Sequence, residues 1–318
     1  MNEEQQREIY QEALIQAREK EYKNALGILE KRIRKIDRRY TYYLYHGIFT
    51  QQQDLIKYSP IALEDYMKAY SFNPNTYSIN DVIGCAYLYM KQYDQAILYL
   101  EKAYALYDPE SGAPPPYWDL AESYLHVGRL EEAMEMNVEA LEENPAPWVY
   151  FQKGVILSEL GNIQALKDNY QIAKQMAPGD IMLDRDYALQ LIKINELEKA
   201  SQLYDAWLKG QENYYDWCYA DLGYISMLKG DWNNSFKLMQ KAEKINNTTV
   251  LTLKYLSFYY FFVQDFNKDY EYESRTRLQT EPSGRTSRKK SVDEFVEGYK
   301  GDWQFQKLLL SQENGNAP

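Results

Sequence analysis

Two histidines, His46 and His126, and two cysteines, Cys85 and Cys218, are all that this chain offers of the side chains that most readily do acid–base, nucleophilic or soft-metal chemistry near neutral pH. Each is poorly supported for such work. The cysteines lie 133 residues apart with no C-x-x-C, and no histidine stands at ligand spacing from either, which excludes the usual zinc patterns. Acidic pairs at Glu131-Glu132 and Glu142-Glu143 adjoin helix turns, where solvation and cap electrostatics account for them. A hydrolytic carboxylate pair must instead face across a cleft. No Gly-rich phosphate loop, H-E-x-x-H or G-x-S-x-G occurs. The chain is therefore expected not to be an enzyme and to use no cofactor or metal; its work is expected to be binding.

The bulk properties narrow what is bound. With 47 Asp+Glu against 36 Lys+Arg the net charge is -11, which opposes phosphate contacts and disfavours nucleic acid as a general partner. The 32 tyrosines bring rings that bury while their hydroxyls bond, as in cores and interfaces. The opening MNEEQQREIY has neither the basic patch nor the apolar run of a secretory signal. The most apolar stretch, Leu251 to Val263, is 13 residues long and interrupted by Thr252, Lys254 and Ser257, so no membrane span is expected. A cytoplasmic location with two reduced thiols is the expectation.

The elements that must position any binding residue announce themselves by repetition. Ala25, Ala62, Ala96, Ala133, Leu166, Ala200, Ser235 and Asp269 recur at steps of 37, 34, 37, 33, 34, 35 and 34 residues. A period near 34 implies one helical hairpin per repeat, each burying its apolar face on the next. Twelve residues before seven of these markers stands another small residue: Ala13, Gly84, Ala121, Gly154, Ala188, Gly223 and Ser257. Two helices cross closely only where neither carries bulk. Small residues return seven places after the marker at Ala69, Ala103, Ala140, Ala173 and Ala242, and Pro74, Pro109, Pro145 and Pro178 end four of the second helices.

This pattern resembles the tetratricopeptide repeat, best at Gly223–Ala242 (GYISMLKGDWNNSFKLMQKA) and Ala121–Pro145 (AESYLHVGRLEEAMEMNVEALEENP), over about eight units. The resemblance implies an all-α, right-handed α-solenoid of stacked helical hairpins. It also implies that the first helices line a concave groove, with inward positions three before and one after the small crossing residue. Those positions and their neighbours one turn away give a candidate groove of Trp118, Glu122, Trp148, Phe151, Val155, Arg185, Leu189, Trp217, Tyr224, Lys254 and Phe258. Its aromatic character suits an apolar or aromatic protein or peptide segment. A stripe like this is also what an inward-folding C-terminal hairpin would bury. Two rival readings stay open: a protein that wraps and neutralises one partner, and a nucleic-acid-associated factor using the bases between 275 and 290. Oligomeric state is left open.

Residues 6–273 are thus expected to form the repeat array. Two irregularities interrupt it: about three extra residues near Thr50–Pro60, expected to lengthen a hairpin loop, and Glu110–Pro116 (ESGAPPP), expected to form a stiff link. Trp207 fills a slot that is small elsewhere, and Asp269 replaces the marker alanine in the last unit. Residues 274–290 read as a basic linker, 291–312 as a C-terminal capping hairpin whose Gly301-Asp302-Trp303 repeats the turn at Gly230-Asp231-Trp232, and 313–318 as a disordered tail.

Overall fold

The computed structural model describes residues 3–33, 39–209, 215–280 and 292–313, and among them every regular segment is a helix. The chain divides into two compact units, Met1–Gly179 and Asp180–Pro318. The first holds α1 (Glu3–Arg18), α2 (Tyr22–Arg32), α3 (Tyr40–Gln51), α4 (Leu55–Phe72), α5 (Tyr77–Tyr89), α6 (Tyr93–Ala105), α7 (Tyr117–His126), α8 (Leu130–Glu143), α9 (Pro147–Glu159) and α10 (Ile163–Met176). The second holds α11 (Ile181–Lys193), α12 (Leu197–Leu208), α13 (Asp216–Leu228), α14 (Trp232–Ile245), α15 (Val250–Phe262), α16 (Phe266–Thr280), α17 (Val292–Gly298) and α18 (Trp303–Glu313). Each odd-numbered helix from α1 to α15 pairs with the even one after it. Within each unit these hairpins stack into the all-α solenoid arrangement that the period implies.

The repeat positions behave as packing demands. All eight markers are buried, the polar Ser235 and Asp269 included. Asp269 is kept satisfied by Ser257 Oγ, which donates to it across the crossing point at 2.7 Å. A methyl group on Gly154 would sit 2.9 Å from Asn169 Cβ and 3.2 Å from Leu166 Cα, so α9 and α10 touch there nearly backbone to backbone. Trp207 fits its slot by turning its indole N–H onto the buried Asp184 carboxylate at 2.6 Å.

Seven hairpin turns share one backbone solution. The residue preceding the second helix's N-cap has a positive φ at Lys20, Lys91, Gly128, Gly161, Asn195, Gly230 and Gln264. Glycine adopts that conformation without strain, whereas a side chain there costs energy. Four hairpins carry that cost.

Three expectations change. The extra residues near Thr50–Pro60 lengthen α4 to 18 residues, with Pro60 inside it, and do not lengthen the loop, which is Gln52 to Asp54. Asp54 caps the new N-terminus by accepting from the Ile56 and Lys57 amides, while buried Gln51 donates to Ser59 Oγ and accepts from Tyr66, each at 2.8 Å. Those bonds pin the longer helix to α3. Likewise α16 runs through Thr280, so Arg275 and Arg277 are helical and not part of a linker. Arg275 pairs with Glu243 at 2.7 Å and Arg277 with Glu273 at 3.2 Å. The remaining basic residues of that stretch, Ser291 and the 314–318 tail lie outside the described residues. Finally, the α17–α18 hairpin folds onto the first helices of its unit, as set out below. At ESGAPPP, a 3-10 turn at Pro109–Ser111 is capped by Asp108, Gly112 takes φ 72°, and the proline run leads into α7.

Candidate functional site

The expected groove residues fall in both units. In the second, α13 and α15 pack side by side and α18 lies across them. Tyr224 of α13 is buried and donates its hydroxyl to the Gln304 carbonyl at 2.9 Å. Lys254 of α15 donates to Asp302 Oδ2 at 3.1 Å and to Gln304 Oε1. Asp302 meanwhile caps α18 by accepting from the Gln304 and Phe305 amides. Phe258 is fully buried, its ring 4.9 Å from Tyr299 and 5.1 Å from Phe305. Phe261 stacks on Phe295 at 4.5 Å. These side chains hold the protein's own C-terminal hairpin, and Tyr224 and Phe258 are shut off from solvent by it.

Arg185 is also engaged from within. Its Nε donates to the fully buried Asp221 at 3.0 Å, and its guanidinium lies 5.1 Å from the Trp217 ring centroid. Asp221 takes a second bond from Tyr255 at 3.1 Å. Leu189 and Trp217 are half-buried.

In the first unit the corresponding face stays open. There α5 touches α7 and α7 touches α9, so these three first helices form one layer. Trp118 is 36% exposed and Trp148 is 56% exposed, Phe151 is half-buried, and Val155 is buried beneath them. Glu122 accepts from Gln152 Nε2 at 2.9 Å and lies 3.1 Å from His126 Nε2. Gln152 in turn accepts from Asn137, a buried residue of α8, at 3.0 Å. Burial alone would raise the Glu122 pKa, but the His126 and Gln152 bonds outweigh it and hold the carboxyl below its ordinary range. His126 stacks face to face on Tyr93 at 4.3 Å.

The structure brings together three residues, of which the sequence reading weighed only Cys85. Asp81 and Cys85 of α5 meet Asp119 of α7, with one ligand atom from each lying within 4.8 Å of the others. The signal was available: Asp81 and Cys85 stand three before and one after Gly84, the same inward register that picks out Trp118 and Glu122. Burial pushes Asp81 up to about 6, with the Tyr77 hydroxyl in partial compensation. Burial and the neighbouring Asp81 push Asp119 up to about 7, partly offset by the Cys85 thiol. Among the described residues no Lys or Arg pairs with either carboxylate. Burial pushes the Cys85 thiol well above its ordinary value.

Comparison with known proteins gives the class. The sequence model of a family described as tetratricopeptide repeat matches residues 87–151, from the end of α5 into α9. A tetratricopeptide repeat protein from Parabacteroides merdae superposes with TM-score 0.62 at 14% identity, covering 79% of this chain and 96% of that one. The human IFIT1 dimer with m7Gppp-AAAA superposes at TM-score 0.54 and 19% identity, covering 81% of this chain and 68% of that one. The chain also aligns over 91% of its length, at TM-score 0.47 and 14% identity, with the Cut9–Hcn1 hetero-tetramer of the APC/C, where it spans 52% of that chain. No curated protein matches. Residues 87–151 thus match the tetratricopeptide-repeat model, and the chain as a whole has the helical-hairpin fold of tetratricopeptide-repeat structures. No helix among the described residues is long and apolar enough to cross a membrane.

Proposed function

We propose that this protein is a non-enzymatic scaffold that holds a segment of a partner protein on the open face of α5, α7 and α9. The carrying observation is the pair of exposed indoles, Trp118 and Trp148, on a face whose counterpart in the second unit is filled by the chain's own α18. That internal occupant indicates the kind of ligand such a face takes: a short amphipathic helix inserting Phe305 and Leu308, both buried. Tryptophan is enriched among interface anchors, and exposed apolar patches mark binding surfaces. Two free thiols, one of them buried, fit a reducing compartment such as the cytoplasm.

The nucleic-acid reading finds less support. Phosphate would meet Asp81, Asp119 and Glu122 on the open face, and Arg275 and Arg277 are already paired. The test is selection of peptides from a displayed random library on the full-length protein, followed by affinity measurement with the tightest binder. Trp118→Ala and Trp148→Ala should each weaken it by about 1–4 kcal/mol while leaving helical circular dichroism unchanged. Unchanged affinity in both variants would place the ligand elsewhere and overturn the proposal.

A further inference from the structure

We infer that the α13–α15 face of the second unit is itself a helix-binding site, held closed by α18 until an amphipathic helix of a partner protein, carrying the same anchors, takes its place. The site is separate from the open face of α5, α7 and α9 and does not depend on that reading. Its polar floor is complete without the hairpin. Asp221, fully buried, takes bonds from Arg185 of α11 and Tyr255 of α15, and Tyr255 stacks on Tyr224 at 4.9 Å. No residue of α17 or α18 enters those contacts. The same floor then reads the hairpin: the Gln304 carbonyl accepts from Tyr224, the Gln304 side chain accepts from Lys254 and donates to Tyr255, and Asp302 accepts from Lys254. Buried polar pairs add little net stability, yet they penalise any occupant that lacks them. That is how a site selects a ligand.

The resident occupant is imperfect. Lys307 of α18 is half-buried, with its ammonium 3.5 Å from the Lys193 carbonyl and, among the described residues, paired with no carboxylate. Burial pulls its pKa down. A partly desolvated ammonium weakens the dock, and an apolar side chain at that position would strengthen it. An empty seat is unfavourable as well, because Phe258 and Phe261 would meet water. Exchange for another helix is thus favoured over simple opening. What α18 presents defines the replacement: an acid at the cap, then Gln two places on, Phe three on and Leu six on, as at Asp302, Gln304, Phe305 and Leu308, with an apolar residue in place of Lys307.

The experiment uses the full-length protein with a protease site engineered within residues 281–291, so that cutting leaves every contact of the hairpin in place. A fluorescein-labelled peptide of residues 292–313 should replace the cut hairpin at one equivalent, with helical circular dichroism unchanged. The Lys307→Met peptide should bind roughly tenfold tighter and the Gln304→Leu peptide roughly tenfold weaker. Uncut protein should take up each peptide at least tenfold more weakly, because its tethered hairpin competes. Helices selected from a displayed library on the cut protein should carry the aromatic anchor and an apolar residue at the Lys307 position. A cut hairpin that excess peptide cannot displace, or whose departure unfolds the second unit, would make it a fixed cap and overturn the inference. Equal binding of the three peptides, or selected helices without these anchors, would overturn it too. A dimer of the uncut chain in light scattering, dissolved by the peptide, would overturn it in favour of hairpins exchanged between two copies.

Discussion

Phe305→Ala is the sharpest probe of the C-terminal hairpin. The ring is fully buried, with centroids 5.1, 5.5 and 5.7 Å from Phe258, Phe261 and Phe262 of α15, and 5.7 and 5.5 Å from Phe295 and Tyr299 of its own hairpin. Truncating a buried phenylalanine costs about 3–5 kcal/mol, the larger figures arising where the walls cannot collapse. Here the walls are five aromatic rings on two elements, so little relief is available. The loss should stay local. At 7 and 11 residues, α17 and α18 are shorter than a helix needs to persist alone in water, so a weakened dock should release the hairpin as a unit. Hydrogen exchange followed by mass spectrometry is the assay. Peptides covering residues 303–313 should exchange roughly a hundredfold faster or more, while those covering α7 and α8 stay as they were. An increase below about tenfold would refute the reasoning and mean that the polar bonds of Gln304 and Asp302 suffice to hold the hairpin.

Three further outcomes are expected. Gly154→Ala should destabilise by about 1–3 kcal/mol, because the new methyl meets Asn169 Cβ and the Leu166 backbone, whereas Gly27→Ala, with nothing within 4 Å, should be neutral or stabilising in the same denaturant titration. Gln264→Gly or Lys91→Gly should raise stability by about 0.5–1 kcal/mol by relieving a positive φ of 63° or 57°; a loss of stability in thermal melts would show that the side chains matter more than the backbone. Asp119 has a folded-state pKa raised to about 7, so its contribution is fully present below the unfolded value and is lost as pH rises through about 7. Asp119→Asn should therefore gain about 1–2 kcal/mol relative to wild type at pH 8 and little at pH 4, and a gain independent of pH would contradict the assignment.

Much of the scaffold was legible because its rules are local. The spacing from Gly84 to Ala96, or from Gly223 to Ser235, is set by one hairpin, and every marker is buried where the period places it. The turn residue was legible where it is Gly230 and hidden where it is Lys91, since tertiary packing imposes a conformation that lysine does not advertise. Pro60 misled because proline usually ends helices, yet a helix begun earlier at an aspartate cap tolerates it within. The open face was harder. Trp118, three before its crossing residue, and Tyr224, one after its own, both hold inward positions, and what separates one from the other is a helix 80 residues further along that covers Tyr224. Asp81 and Asp119 are 38 residues apart and meet only when two hairpins stack. Such pairings depend on the stack and not on any single window of sequence.

The self-occupied face of the second unit has a consequence for competition. The hairpin is joined to α16 through eleven residues, 281–291, so it meets its seat as a tethered ligand and not as a dilute one. Short connections give effective concentrations in the millimolar range. A free segment of equal intrinsic affinity would have to approach that concentration to evict it, far above the level of most cellular proteins. The second unit is therefore insulated from casual partners by its own sequence. Any ligand that does displace α18 must bring a contact that the hairpin lacks.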